Sequence, residues 1–253
     1  MQLLLVVPIL AQQFSEVKRM KVNGSQFCLD NLNNIYVYNE RSIYKYNSSG
    51  KQLFNYSSTN ASNITSIDVL NPLRILVFFK DINQVQFLDN TLSETGIVLN
   101  LGDIDLQQAS LVCNSASKGI WVFNPQNIEL LHLNNDLTSI SKTGNLSVLL
   151  AKNINPIRLY EFNNHLYLCN QNSIIVFDIF GTYEKNIPIN CDNCFITDTG
   201  ISNAMNDTIY SYNFEQKLIT KIPFIGTKNP TVFNGKSALQ IQQNMEFIWF
   251  EKK

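Results

Sequence analysis

Short apolar runs punctuated by asparagine, aspartate and glycine recur along this chain, and the recurrence has a period. One unit holds an apolar strand ending in an acidic or amide residue, a turn, a second apolar strand, an Asn-rich turn, and a third strand that again ends in a polar residue. The first strand of the unit reads at residues 26–30, 64–68, 110–114, 157–161, 194–198 and 230–234. The second reads at 35–38, 75–78, 120–123, 166–169, 201–205 and 238–241. The third reads at 42–47, 85–89, 128–134, 174–178 and 208–213, with a truncated copy at 245–251. These runs are rich in Val, Ile, Tyr and Phe and are bounded by turn formers, as strands are. They are nearly continuous in hydrophobicity, which predicts strands covered on both faces.

Copies lie about 35–50 residues apart, the spacing at which four-stranded units stack beside one another. The pattern therefore predicts an all-β fold, a six-bladed β-propeller. The last unit has three strands before Lys253, and residues 14–22 supply a spare one ahead of the first unit. Pairing that N-terminal strand with the last blade would close the ring and hide two free edges. A seven-bladed ring would need about 40 more residues on the same spacing. No segment shows sustained helical periodicity.

Residues 1–12 fall outside the repeat. Their apolar stretch, from Met1 to Ala11, is too short to span a bilayer and fits the core of a signal peptide with a small residue at the cleavage point, although no Lys or Arg precedes it. The expected organisation is a leader at 1–12 and one propeller over 13–253.

Composition narrows the function classes. Charged residues are 15% of the chain and the net charge is −1, with no basic run, so clustered cations for nucleic acid are missing. Polarity comes from amides, with 34 asparagines set singly at turns. Only two histidines occur, His132 and His165, and neither neighbours a GxSxG or HExxH pattern. A Gly-rich phosphate loop is missing, as is the sialidase Asp-box. The expectation is a protein that is not an enzyme; the alternative is a calcium-dependent hydrolase of the lactonase-like six-bladed type.

Of five cysteines, Cys28, Cys113 and Cys169 sit in apolar strands and read as core. Cys191 and Cys194 form a lone CxxC opening a strand. Zinc would need two further ligands, with both histidines in other repeats. A local disulfide and two idle thiols both fit.

The first strands end in Asp30, Asp68, Asn114, Glu161, Asp198 and Asn234, one register repeated six times. In a propeller this register forms a ring at one mouth of the central channel. Hard oxygen ligands in a ring suit Ca²⁺ or another small ligand. Asp and Asn equally cap tight turns by bonding the backbone two residues on. If Asp68 only caps its turn, Asp68→Asn should be nearly neutral. The third-strand ends Asn47, Asp89, Asn134, Asp178, Asn213 and Glu251 read as turn chemistry in the same way.

The segment 64–92, together with residues 46–56 and Gly119-Ile-Trp-Val-Phe123, resembles a family of small secreted β-propellers from Bacteroidetes. The Asn-rich composition and the Ala-Gln-Gln region after the apolar stretch agree with it. The resemblance implies the periplasm or cell envelope, and kinship with non-enzymatic propellers of the type IX secretion and gliding machinery, including a plug-like periplasmic partner of the translocon. It carries over no catalytic residue. The implied partner is an envelope or secretion-machinery protein, bound by a monomer that lacks a transmembrane segment. The docking surface would be one face built from turns, with Phe79, Phe180, Tyr183 and Phe214 as rim candidates.

Overall fold

The computed structural model describes residues 14–104, 106, 108–117, 119–191, 194–197, 199–224 and 229–252, so the expected leader at 1–12 lies outside the described residues. Six four-stranded antiparallel sheets follow one another. Blade 1 is Gln26–Leu29, Ile35–Tyr38, Ser42–Tyr46 and Gln52–Ser57. Blade 2 is Ser66–Asp68, Ile75–Phe79, Gln84–Leu88 and Glu94–Asn100. Blade 3 is Leu111–Ser115, Gly119–Asn124, Glu129–Leu133 and Ser139–Lys142. Blade 4 is Pro156–Phe162, His165–Asn170, Ser173–Asp178 and Tyr183–Ile187. Blade 5 is Phe195–Ile196, Gly200–Met205, Thr208–Asn213 and Ile219–Pro223. Blade 6 takes Thr231–Phe233, Ser237–Ile241 and Glu246–Lys252 from the end of the chain and Phe14–Lys21 from its start.

The second strands explain why the sequence reads as continuous apolar runs. Every residue of Ile35–Tyr38, Ile75–Phe79 and Gly119–Asn124 is buried, because each lies inside its sheet and between two neighbouring blades. The cores sit in those gaps. Leu76, Phe78 and Phe87 of blade 2 pack with Val112, Ile120 and Val122 of blade 3. Trp121 and Phe123 of blade 3 pack with Leu166, Leu168 and Phe177 of blade 4. Full burial of such side chains contributes about 1.5–3 kcal/mol each. The outer strands have lost the second neighbour, and Gln52–Ser57 and Glu94–Asn100 are exposed except at one residue each.

The ring closes at blade 6, where Phe14 lies opposite Lys252 and Lys21 opposite Glu246, with one register shift between Glu16 and Lys18. Phe14 meets Phe224 edge-on at 5.0 Å and Phe233 at 6.0 Å. Arg19 bridges Glu16 and Glu246 across the seam, at an exposed site where such pairs add little.

Two details depart from the sequence reading. A short helix, Leu146–Leu150, links blades 3 and 4, capped by Asn145 accepting from the Val148 N–H at 3.0 Å. Phe79, read as a rim aromatic, is fully buried, because its strand runs one residue deeper than the turn placement implied. Phe214 is half-buried against Tyr167 and Tyr212, whereas Phe180 and Tyr183 are exposed. No helix among the described residues is long and apolar enough to cross a membrane.

Candidate functional site

The turns after the first strands, and after the third strands of blades 1 to 5, share one face of the ring, since neighbouring strands are antiparallel. Five of the third-strand ends are turn caps; the sixth, Glu251, is not, because its strand runs on to Lys252 and sets it opposite Ser15 and Ser237 within the sheet. Asp89 accepts from the N–H groups of Thr91 and Ser93, Asn134 from Asp136 and Thr138, and Asp178 from Phe180 and Thr182, all within 3.0 Å. Asn47 and Asn213 cap in the same manner.

The mouth register behaves less uniformly. Asp30 caps its own turn, accepting from the Leu32 and Asn34 N–H groups, and its second oxygen takes the Asn34 amide at 2.8 Å and the Tyr36 hydroxyl at 3.1 Å. Asn234 accepts from the Lys236 and Ser237 N–H groups. Asp68 accepts from the Leu70 N–H at 3.0 Å with one oxygen, and with the other from the Asn114 N–H of blade 3 at 2.8 Å. Asn114 and Glu161 depart from the turn-cap pattern, because their side chains reach back to the preceding blade. Asn114 exchanges two hydrogen bonds with Arg74 of blade 2, whose guanidinium also donates to the Gly119 carbonyl and to Asn135 Oδ1 while lying 3.9 Å over the Phe87 ring. Glu161 of blade 4 accepts from the Ala116 N–H at 2.9 Å and from Trp121 Nε1 at 2.8 Å, both in blade 3. Asp198 lies outside the described residues.

Asp68, Asn114 and Glu161, with Arg74, therefore staple blades 2, 3 and 4 at the mouth. Asp30 accepts four hydrogen bonds and Asp68 and Glu161 two each, so these carboxylates are already engaged by protein donors. Sequence reasoning missed Arg74 and Trp121, because a turn arginine and a strand tryptophan carry no mark of their partners.

Burial pushes the Asp68 carboxyl above its ordinary value of 3.8, the Leu70 and Asn114 N–H groups pull it back, and the Glu161 charge adds to the rise. With a raised folded value, the stability Asp68 contributes is whole below 3.8 and is lost as pH rises through the folded value. Asp68→Asn removes that slope, so its stability relative to wild type should climb from about pH 4 upward. Asp68→Ala is equally uncharged but leaves both N–H groups unpaired, and should lie about 1–3 kcal/mol below Asp68→Asn at every pH. Urea midpoints of the three chains across pH read both effects.

Two hollows adjoin the ring. On the mouth face a funnel of ≈ 500 Å³ is rimmed by Asp30, Asn33, Asn163, Asn234 and Lys236, with Phe162 and Phe195 among its walls. The turns of the same face carry exposed apolar residues in four blades: Leu32 at 66% exposure and Leu73 at 73% in the inner turns, Phe180 at 69% and Leu218 at 60% in the outer ones. Along the channel, from the opposite end up to Asp68, runs a cavity of ≈ 250 Å³ lined also by Gln26, Tyr38, Ser110, Arg158 and Tyr160. Tyr160 and Tyr38 favour the charged form of the Arg158 guanidinium against its burial. Arg158 had a sequence signal: it is the charged residue inside a first strand, where the other copies carry apolar or small residues.

His132 is buried, stacked on Trp121 with ring centres 4.4 Å apart, and within 3.2 Å of the Ser117 hydroxyl. Burial lowers its pKa, against the pull of Glu161. His165 pairs with Glu184 at 3.2 Å on the surface.

The cysteines are arranged in a way the sequence hid. Cys191 and Cys194 form a disulfide, and Cys169, from the second strand of blade 4, brings a third sulfur to it. All three sulfurs lie within 4.8 Å of one another and are buried. Burial pushes the Cys169 thiol up to about 12, partly offset by the Arg158 charge, so with no metal bound it stays protonated at neutral pH. Cys113 is fully buried and Cys28 partly so, both as core.

Fold and mouth together define a six-bladed β-propeller closed by its N-terminal strand. No protein-family model matches the chain, and no curated protein does. Solved structures match along nearly its whole length. The β-propeller domain of Myceliophteria thermophila Cps50 (Swd1) is 9% identical with a TM-score of 0.62, covering 95% of this chain and 100% of that one. A chain of the Mitotic Checkpoint Complex is 10% identical with a TM-score of 0.61, covering 97% and 94%. Virginiamycin B lyase from Staphylococcus aureus is 10% identical with a TM-score of 0.60, covering 95% and 100%. At these identities the likeness is one of fold.

Proposed function

We propose that this chain is a non-enzymatic docking propeller of the bacterial cell envelope that holds an envelope or secretion-machinery protein on its mouth face. The observation that carries the reading is the set of apolar turn tips, Leu32, Leu73, Phe180 and Leu218, on the face that also holds the polar-rimmed funnel. Large apolar side chains at turn tips contribute nothing to the blade cores, and several on one face offer a partner apolar surface to bury. A partner can cover the tips and seat one side chain in the funnel, where Asp30, Asn33, Asn163, Asn234 and Lys236 offer hydrogen bonds. Among the structures of similar fold, one comes from a multi-protein assembly, the Mitotic Checkpoint Complex, so the architecture is used to hold partners elsewhere. The envelope location rests on the signal-like residues 1–12 and on the resemblance to secreted Bacteroidetes propellers.

Leu73→Glu combined with Phe180→Glu puts two charges on the docking face without touching a core. Both residues are exposed, so the melting temperature should stay within about 2 °C of wild type. Mild crosslinking in intact cells followed by affinity capture should recover a defined envelope protein with wild type and lose it, at least tenfold, with the double variant. Equal recovery by both chains would remove this face as the docking surface. Recovery of the same soluble cytoplasmic proteins by both would remove the envelope reading.

A further inference from the structure

We propose that the sulfurs of Cys169, Cys191 and Cys194, once the disulfide is reduced, form a three-thiolate site for one copper(I) ion. The three come from separate places, the second strand of blade 4 and the two ends of the turn that opens blade 5, yet the fold gathers their sulfurs within 4.8 Å of one another. The backbone around them is anchored. Asn203 Nδ2 donates to the Asn190 carbonyl at 2.6 Å and the Tyr160 hydroxyl to the Cys194 carbonyl at 3.2 Å, so both ends of the turn are tied to neighbouring strands. Ile189, Ile196, Ile201 and Tyr167 belong to the same core and keep water from the sulfurs.

The number and kind of ligands choose the metal. Thiolates are soft and select copper(I), zinc or iron–sulfur clusters. Zinc in a closed site takes four ligands, whereas the cluster among the described residues has three. A monovalent d¹⁰ ion is satisfied by three sulfurs in a plane, and reduction frees the Cys191 and Cys194 sulfurs to move apart to the spacing such an ion needs. Three thiolates around one positive ion leave a double negative charge in an apolar setting. Arg158, opposite Cys169 in the strand pair and lining the same narrow void as Cys194, supplies the compensating cation.

Loading has two balanced steps. A dithiol reductant transfers two electrons and two protons to the Cys191–Cys194 bond and closes into its own cyclic disulfide, leaving three protein thiols. Copper(I) then forms three Cu–S bonds as the three thiol protons leave to solvent. The oxidised chain has one thiol at the site and no such set of ligands, so the site is open only under reducing conditions.

The test is competition for copper(I) with bathocuproine disulfonate, using the full chain. Dithiothreitol-reduced wild type, freed of reductant without air, should withdraw one equivalent. The oxidised wild type should withdraw none. Cys169→Ser should compete at least tenfold more weakly, while Cys113→Ser, at a buried cysteine outside the cluster, should behave as wild type. X-ray absorption at the copper edge on the loaded wild type needs no variant and should show three sulfur ligands. Two sulfurs, as the CxxC alone would supply, would overturn the proposal, as would nitrogen or oxygen ligands, no uptake by the reduced chain, or full uptake by Cys169→Ser.

Discussion

A chain lacking residues 1–24 is expected to aggregate rather than to fold with a modest loss of stability. The strand Phe14–Lys21 is the outer strand of blade 6, paired with Glu246–Lys252 along its length. Removing it bares the N–H and C=O row of Glu246–Lys252, a strand whose Phe247, Ile248 and Trp249 are buried. An unpaired apolar edge is a template for another chain. Removal also uncovers Phe224 and Phe233, which Phe14 covers edge-on, and takes away Val22, part of the core between blades 6 and 1. The closing contact between the last blade and the first goes with it, so the damage spreads beyond one sheet. Size-exclusion chromatography with light scattering should show large assemblies for the truncated chain. A soluble monomer with one cooperative melting transition would refute closure by this strand. Adding a synthetic peptide of residues 13–23 during refolding should recover monomer, since the peptide can occupy the vacant edge.

Gly119→Ala should cost on the order of 3 kcal/mol or more, a magnitude reached when backbone strain and lost packing combine. Gly119 opens the second strand of blade 3 with φ at +149°, and a Cβ there would stand 2.1 Å from the Leu133 carbonyl oxygen. Backbone cannot step aside as a flexible side chain can, so the second and third strands must part at that end. Ile120 pairs with Leu133 at that place, and Arg74 donates to the Gly119 carbonyl from blade 2. One methyl group therefore strains a ladder and the clamp across two blades. Blade 5 supplies an internal replicate, because a Cβ on Gly200 would lie 2.1 Å from the Tyr212 carbonyl oxygen. Both alanine variants should lower the denaturation midpoint strongly, whereas Gly102→Ala, with open space around it, should not. Midpoints for Gly119→Ala and Gly200→Ala within error of wild type would show that the strands can separate without penalty.

The architecture was legible because its causes are local. A turn needs Asn, Asp or Gly at a fixed offset, and a strand covered on both faces needs an unbroken apolar run, so each blade writes its own signature. Closure by residues 14–22 was legible for the same reason, as one strand in excess at one end matched one missing at the other. The mouth register was legible as a repeat, but its roles were not. Asp68 holds the Asn114 N–H 46 positions on, and Glu161 holds the Ala116 N–H 45 positions back. Those separations are one blade period, and a repeat cannot say whether a side chain serves its own turn or its neighbour's. The same blindness hid Cys169 from Cys191 and Cys194, since its apolar flanks describe a core residue whether or not another sulfur lies beyond it. Phe79 failed in the other direction: it sits near a turn in sequence, and only the depth of its strand shows that it belongs to the core.

The seam in blade 6 also sets a timetable. Arg19 and Glu246 meet across it although 227 positions separate them in the chain. During synthesis the strand made first must wait, unpaired, until the strand made last has emerged. Blades 1 to 5 complete themselves from neighbouring segments and can form in order as the chain lengthens, whereas the sixth is the slow, non-local step. For that interval the molecule is an open arc with Phe14–Lys21 unattached. Its exposure to proteases and to other chains is decided by how soon the last strand arrives, before the stability of the finished ring has any influence.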